Sequence, residues 1–186
     1  LGIKGGWQDF FSTAFGGFSW IELNHKDILV NSLRVQDDYV NELEHNLMLF
    51  KFGKSRKSSL IQKKNLKKKN SRSNILKMKK ISSEMKNCLL TGKIKKFGDF
   101  LNYSWSLKKK ISPYASNSRI DKIYKIAKEN GALGGKLLGA GQSGYLLFYA
   151  SPVYQEIIKK KLKKLGAEFE NFRFTMTGLK VWVTER

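Results

Sequence analysis

Gly139, Gly141 and Gly144 fall at the spacing G-x-G-x-x-G inside GALGGKLLGAGQSG, a stretch of fourteen residues that holds six glycines. That spacing cradles a dinucleotide pyrophosphate when a strand precedes it and a helix follows, because the helix N-terminus receives the charge. Here the next segment is YLLFYA (145–150), an apolar run of strand length, so the dinucleotide reading is excluded. The Walker pattern G-x-x-x-x-G-K-[ST] is absent as well. Two explanations remain. One is a tight turn with positive φ at several positions, and the other is a backbone that comes very close to a ligand or to another backbone. Glycine at this density points to the second.

The other groups with chemical potential are scattered. Asp9, Ser12 and Thr13 stand at i, i+3 and i+4 in WQDFFSTAF (7–15), one face of a short helix. Trp7, Phe11, Ala14 and Phe15 make its apolar stripe, and Gly16-Gly17 stop it. On spacing alone Asp9 is a first-turn acid that complements the helix dipole. Lys4 precedes it in LGIKGG, and Arg56 sits in the polar loop GKSRKSS. Arg56 reads equally as a surface arginine or as a bidentate phosphate ligand. His25 and His45 lie in or beside turns with no partners at metal spacing. Cys88, in a Lys-rich helix, reads as packing, and Trp7 as core or pocket wall. A single cysteine excludes an intramolecular disulfide framework and a Cys-based zinc site, and a reducing, cytosolic setting is the default expectation.

These groups must be positioned by one modest domain with an appendage, the size expected of 186 residues. The 41% hydrophobic content excludes a wholly disordered chain, and no stretch approaches a membrane span. FSWIEL (18–23) and DILVNSLRV (27–35) read as strands joined by a turn, DDYVNELEH (37–45) as a short helix and NLMLFKF (46–52) as a buried strand. Helices follow over about 58–69, 74–90 and 96–110, then a loop at Pro113. The helix 118–131 takes Ser118 as its N-cap and Gly131 as its stop. Another helix opens at Ser151-Pro152 and runs to Gly166. EFENFRFTM and LKVWVTE close the chain as strands. The net charge of +21 rests on Lys far more than on Arg. We read it first as a Lys coat on solvated helix faces, ahead of nucleic-acid binding, because arginine and stacking aromatics are scarce in the basic run. A positive field that steers a phosphorylated substrate is compatible with it.

LGIKGGWQDFFSTAFGGFSWIEL and GALGGKLLGAGQSGYLLFYA resemble the second half of a GHMP sugar kinase, in particular the D-glycero-D-manno-heptose 7-phosphate kinase branch. NLMLFKFGKSRKSS, FLNYSWSLKKKIS and NSRIDKIYKIAKENGA follow that branch in order and spacing, so the resemblance covers nearly the whole chain. It implies an α+β fold: a ferredoxin-like sandwich, with strands left from a preceding domain, divided as 1–52 and 53–186. It also implies phosphoryl transfer from ATP, with Mg²⁺, to the anomeric hydroxyl of a heptose 7-phosphate in the cytoplasm. The partners would then be small molecules rather than nucleic acid or membrane. By position, Asp9 is the general base, and Lys4, Gly5, Gln8 and Arg56 contact substrate or phosphate. Gly139, Ala140, Gly141, Gln142, Ser143 and Gly144 form the loop near the phosphates. Two positions depart from the branch. Gln142 and Ser143 stand where glycines are common, and Phe10 where Gln often follows the acid. The glycine/serine phosphate loop of the N-terminal half is absent and position 1 is Leu, so the chain is expected to be the C-terminal portion of a kinase.

Overall fold

The computed structural model describes residues 7–24, 27–53, 72–139 and 144–182. The helix expected over 58–69 lies outside them. Helix α1 (Trp7–Phe15) leads into a hairpin of β1 (Ser19–Leu23) and β2 (Ile28–Ser32), paired antiparallel from Ser19↔Ser32 to Leu23↔Ile28. Helix α2 (Asp37–Asn46) runs straight into β3 (Leu47–Phe52). Then come α3 (Arg72–Thr91), α4 (Lys96–Ile111), a 3-10 turn (Pro113–Ala115) and α5 (Ser118–Glu129). The chain continues as β4 (Ala132–Leu137), β5 (Gly144–Ala150), α6 (Pro152–Lys163) and β6 (Ala167–Glu170). The second sheet has the order β4-β5-β3-β6 and is antiparallel throughout. Strand, helices, two strands, helix, strand in that order is the ferredoxin-like arrangement expected from the resemblance.

β3 is an inner strand between β5 and β6, buried on one face at Met48, Phe50 and Phe52 and on the other at Leu47, with Lys51 exposed. Met48, Phe50 and Phe52 join Leu146, Phe148 and Ala150 on one face. Ile120, Ile123 and Ala127 of α5 and Ile158 and Leu162 of α6 cover them. Leu47 and Tyr149 look the other way, into a second cluster with Leu43, Leu89, Ile94 and Leu101. Residues 47–52, counted with the first part of the chain in the 1–52 division, therefore share the sheet of the second part.

Three expectations change. The glycine-rich stretch is half strand: Ala132–Leu137 is β4. Its Gly134 is packed so tightly under α4 that a β-carbon there would overlap the Gly98 carbonyl oxygen and crowd Asn102. A β-carbon at Gly135 would run into the Phe148 ring and the Leu147 carbonyl. The N-cap of α5 is Asn117, not Ser118; its side-chain oxygen accepts from the Ile120 N–H at 3.0 Å. And among the described residues of the two closing segments only Ala167–Glu170 forms a strand, at the sheet edge. Asn171–Trp182 leaves the sheet as a strap with no regular structure. The Phe174 N–H donates to Glu44 Oε2 (2.8 Å), the Gly17 N–H to the Thr175 carbonyl (2.8 Å), and the Leu179 N–H to the Thr13 and Ala14 carbonyls (3.1 and 3.2 Å). Gly16 and Gly178 have no room for a side chain where the strap crosses the end of α1. The strap thus ties α1 and its hairpin to α2.

Candidate functional site

Gln8 and Asp9 stand in the first turn of α1, and Asp9 is the acidic residue of that turn. Together with Ser12 they line a cavity of ≈ 540 Å³. Its other walls are Ser19, Trp20, Ile21 and Leu23 of β1, Leu33 just after β2, Ser82, Met85, Lys86 and Leu89 of α3, and Phe97 of α4. The Ser12 and Thr13 hydroxyls donate back to the Gln8 and Asp9 carbonyl oxygens, both at 2.8 Å, so these hydroxyls serve the helix. Lys86 Nζ lies 4.4 Å from the Trp20 ring centroid, and Trp20 Nε1 donates to Glu22 Oε1 at 2.6 Å. The cavity therefore combines a carboxylate, an amide, a cation and a flat aromatic wall. That set suits a polyhydroxylated anion: carboxylate and amide for hydroxyls, ring face for C–H groups, ammonium for phosphate.

The glycine turn is the connection of a β-hairpin. β4 and β5 pair up to Leu137↔Leu146, and the Leu138 N–H extends the ladder to the Tyr145 carbonyl at 2.8 Å. Gly139 (φ 67°) and Gly144 (φ 119°) bound it, each in the left-handed half of backbone space. Among the described residues, a β-carbon at either would meet nothing within 4 Å. The expected close approach to another backbone holds for Gly134 and Gly135 but not for Gly139 and Gly144, where conformation and open space are what glycine provides. Neither Gly139 nor Gly144 lines the cavity that holds Asp9. Ala140, Gly141, Gln142 and Ser143, like Lys4, Gly5, Arg56 and His25, lie outside the described residues.

Sequence reasoning missed Trp20, Lys86 and Lys108. Lys108, on the last turn of α4, donates from Nζ to the carbonyl oxygens of Leu137 (3.1 Å) and Gly139 (2.7 Å). Burial, with Lys136 adding like-charge repulsion, pushes its pKa down to about 8 from 10.5. Burial lowers the Lys136 ammonium too. Between pH 8 and 10.5 the unfolded chain holds the Lys108 proton and the folded chain does not, so stability rises with pH across that window. Allowing for partial exposure, the rise is about 2 kcal/mol. Urea unfolding at pH 7.5 and 10 should show a larger rise for the wild type than for Lys108→Met, which keeps the contribution of Lys136.

Other candidates fall to structural roles. Cys88 is buried, and desolvation pushes its thiol up, with Glu84 adding to this while Lys96 and Lys93 pull it down. A thiol so placed is packing, not a nucleophile. A wider cleft of ≈ 730 Å³ lies among Glu44, His45, Gln155, Lys159 and Arg173. Its groups are spent on structure. Glu44 holds Phe174 N–H and sits 3.7 Å from Arg173, and Gln155 donates to the His45 carbonyl at 2.7 Å. Among the described residues no group of His, Cys, Asp or Glu is arranged to hold a metal ion, and no helix is long and apolar enough to cross a membrane.

Residues 85–168 match the family described as GHMP kinases C terminal. The chain is 34% identical to the D-glycero-alpha-D-manno-heptose 7-phosphate kinase of Campylobacter jejuni, over 98% of this chain and 55% of that protein. Among solved structures, a candidate sugar kinase from the same species superposes with a TM-score of 0.74 at 33% identity, over 98% of this chain and 52% of that one. The D-glycero-D-manno-heptose 1-phosphate kinase of Bacteroides thetaiotaomicron superposes with a TM-score of 0.69 at 27% identity, over 98% and 51%. The chain spans about half the length of the relatives it matches.

Proposed function

This chain belongs to the GHMP kinases through the C-terminal domain of that family, and from that premise we propose that the protein it forms part of is an ATP-dependent sugar kinase. The substrate we infer is D-glycero-D-manno-heptose 7-phosphate, phosphorylated at its anomeric hydroxyl. The observation that carries the reading is the cavity under α1. In a chain so similar to a heptose 7-phosphate kinase, Asp9 and Gln8 open onto a pocket with a ring wall and an ammonium.

In the proposed reaction the Asp9 carboxylate accepts the proton of the anomeric hydroxyl. The oxygen attacks the γ-phosphorus, the bond from phosphorus to the bridging oxygen breaks, and ADP leaves. Gln8 orients hydroxyls, and Trp20 gives the sugar a flat face. Lys4, Gly5 and Arg56 are assigned to substrate or phosphate by resemblance, and the turn from Gly139 to Gly144 to the nucleotide phosphates. Mg²⁺ accompanies ATP in such transfers. The described residues offer no ligand set for it, and no step is assigned to it.

Two parts contribute, by this proposal: α1 with the β1–β2 hairpin from a preceding domain, and the ferredoxin-like unit with β3 in its sheet. Phe10, Phe15, Leu23, Leu29 and Trp182 are exposed around α1 and the hairpin, which supports a covering partner domain there. The test is ADP release by the protein as encoded, with ATP and a panel of sugar phosphates. Heptose 7-phosphate should give the highest kcat/KM; a panel with no ADP release above background would sink the reading.

A further inference from the structure

Trp20 and Lys86 meet on the wall of the cavity that holds Asp9. The two are held differently. The indole is pinned, since Trp20 belongs to β1 and its Nε1 donates to Glu22 Oε1 at 2.6 Å. Helix α3 is anchored through Leu89 and Met85 in the second core cluster. From that helix Lys86 reaches across on a flexible four-carbon stem and sets its ammonium 4.4 Å from the ring centroid. The stem can turn away from the ring, while the pinned ring stays.

The ammonium has a weak partner. Among the described residues no carboxylate pairs with Lys86. Glu22 is engaged by the indole N–H. An exposed ring face holds a cation by about two- to fivefold in an equilibrium. A phosphate oxygen, through a charge-assisted hydrogen bond, holds it by about 10- to 100-fold. A phosphate therefore wins the ammonium from the ring. Both side chains line the cavity, so the ammonium occupies ring surface that a bound sugar would otherwise cover.

We propose that Lys86 is the specificity-determining residue of this site: it leaves the Trp20 ring for a phosphate that the sugar already carries, and so selects phosphorylated acceptors over free sugars. The inference rests on the kinase reading and deepens it. The ligand chemistry is a phosphate group, and its source is the acceptor, because the ammonium lies on the wall that the sugar itself must cover. A free sugar has to displace the ammonium with nothing to receive it. Discrimination thus has an attractive part and a repulsive part.

Two measurements on the protein as encoded test this. The first is kcat/KM for ADP release with heptose 7-phosphate and with the same heptose lacking the phosphate, in wild type, Lys86→Met and Lys86→Arg. Lys86→Met should lose about 10- to 100-fold on the phosphorylated sugar, nearly all of it in KM. On the free sugar the same variant should gain about two- to fivefold, because the ring is uncovered. Lys86→Arg should keep the preference for phosphate, since it keeps the charge. A lysine that only tied β1 to α3 would, when removed, lower both sugars alike, and that result overturns the proposal.

The second is NMR of the protein carrying ¹³C-labelled lysine, with the Lys86 signal assigned through Lys86→Met. The Trp20 ring current should shift the Lys86 ε-methylene upfield in the free protein. Saturating heptose 7-phosphate should return it to the position of the other lysines, and free heptose should leave it shifted. An unmoved signal with heptose 7-phosphate bound overturns the proposal. So does a signal moved by ATP alone, with Lys86→Met raising the KM for ATP only, because the nucleotide is then the source of the phosphate. A signal that moves with heptose 7-phosphate while no ADP is released upholds the subsite and removes the kinase reading. ADP release with the same KM for heptose 7-phosphate in wild type and Lys86→Met does the reverse.

Discussion

Asp9→Asn is expected to lower kcat by about 10²- to 10⁴-fold, the usual reach of a positioned general base, with ATP affinity near that of the wild type. The substitution keeps shape and hydrogen-bonding reach and removes only the ability to take a proton. It also removes the negative charge from the first turn of α1, which costs about 0.3–1 kcal/mol through the helix dipole. A loss that small barely moves the melting temperature. The two explanations of this residue therefore separate cleanly. A dipole-complementing acid changes stability slightly and turnover little, whereas a base changes turnover by orders of magnitude. Comparable kcat in wild type and Asp9→Asn would remove Asp9 from the chemistry.

The second large effect is on the fold. Gly134→Val should destabilise the protein by about 3 kcal/mol, the upper part of the range for an overpacked site, and lower its melting temperature by roughly 6–12 °C. Gly134 sits where α4 crosses β4, and the atom in the way is the backbone oxygen of Gly98, which has no rotamer to yield. Gly139→Ala supplies the contrast. There the space is open and only the positive φ resists, at about 1–2 kcal/mol. Thermal unfolding of the two variants side by side checks the order. Equal losses would contradict the assignment of α4–β4 contact to Gly134.

That contrast also explains what the sequence could and could not reveal. Helix α1 and strand β3 were legible from their patterns: an apolar stripe at helical spacing in one, although its Ala14 and Phe15 stay exposed, and an apolar run with Met48, Phe50 and Phe52 buried in the other. β4 was not. Its glycines look like loop, yet Gly134 and Gly135 are glycines because a helix and an aromatic ring press on them. The strand expected over EFENFRFTM (168–176) has the right residue types but ends at Glu170, and Phe172 and Phe174 pack into the second core cluster from a strap instead. Ser118 and Asn117 are both good caps, and only geometry selects Asn117.

The site divides in the same way. Asp9 and the glycine turn stand out as candidates through local motif and resemblance. Trp20 and Lys86 meet across 66 positions of chain, and Lys108 reaches Gly139 across 31. No local spacing encodes such meetings. Lys86 and Lys108 come from α3 and α4, whose sequences read as ordinary Lys-rich helices.

The central claim, phosphoryl transfer to the anomeric oxygen of a heptose 7-phosphate, is tested most directly by ³¹P NMR of the protein as encoded with Mg·ATP and that sugar. The account predicts a second sugar-phosphate resonance, coupled to the anomeric proton, growing in step with ADP. Unchanged ATP and a single sugar-phosphate signal after prolonged incubation would contradict it.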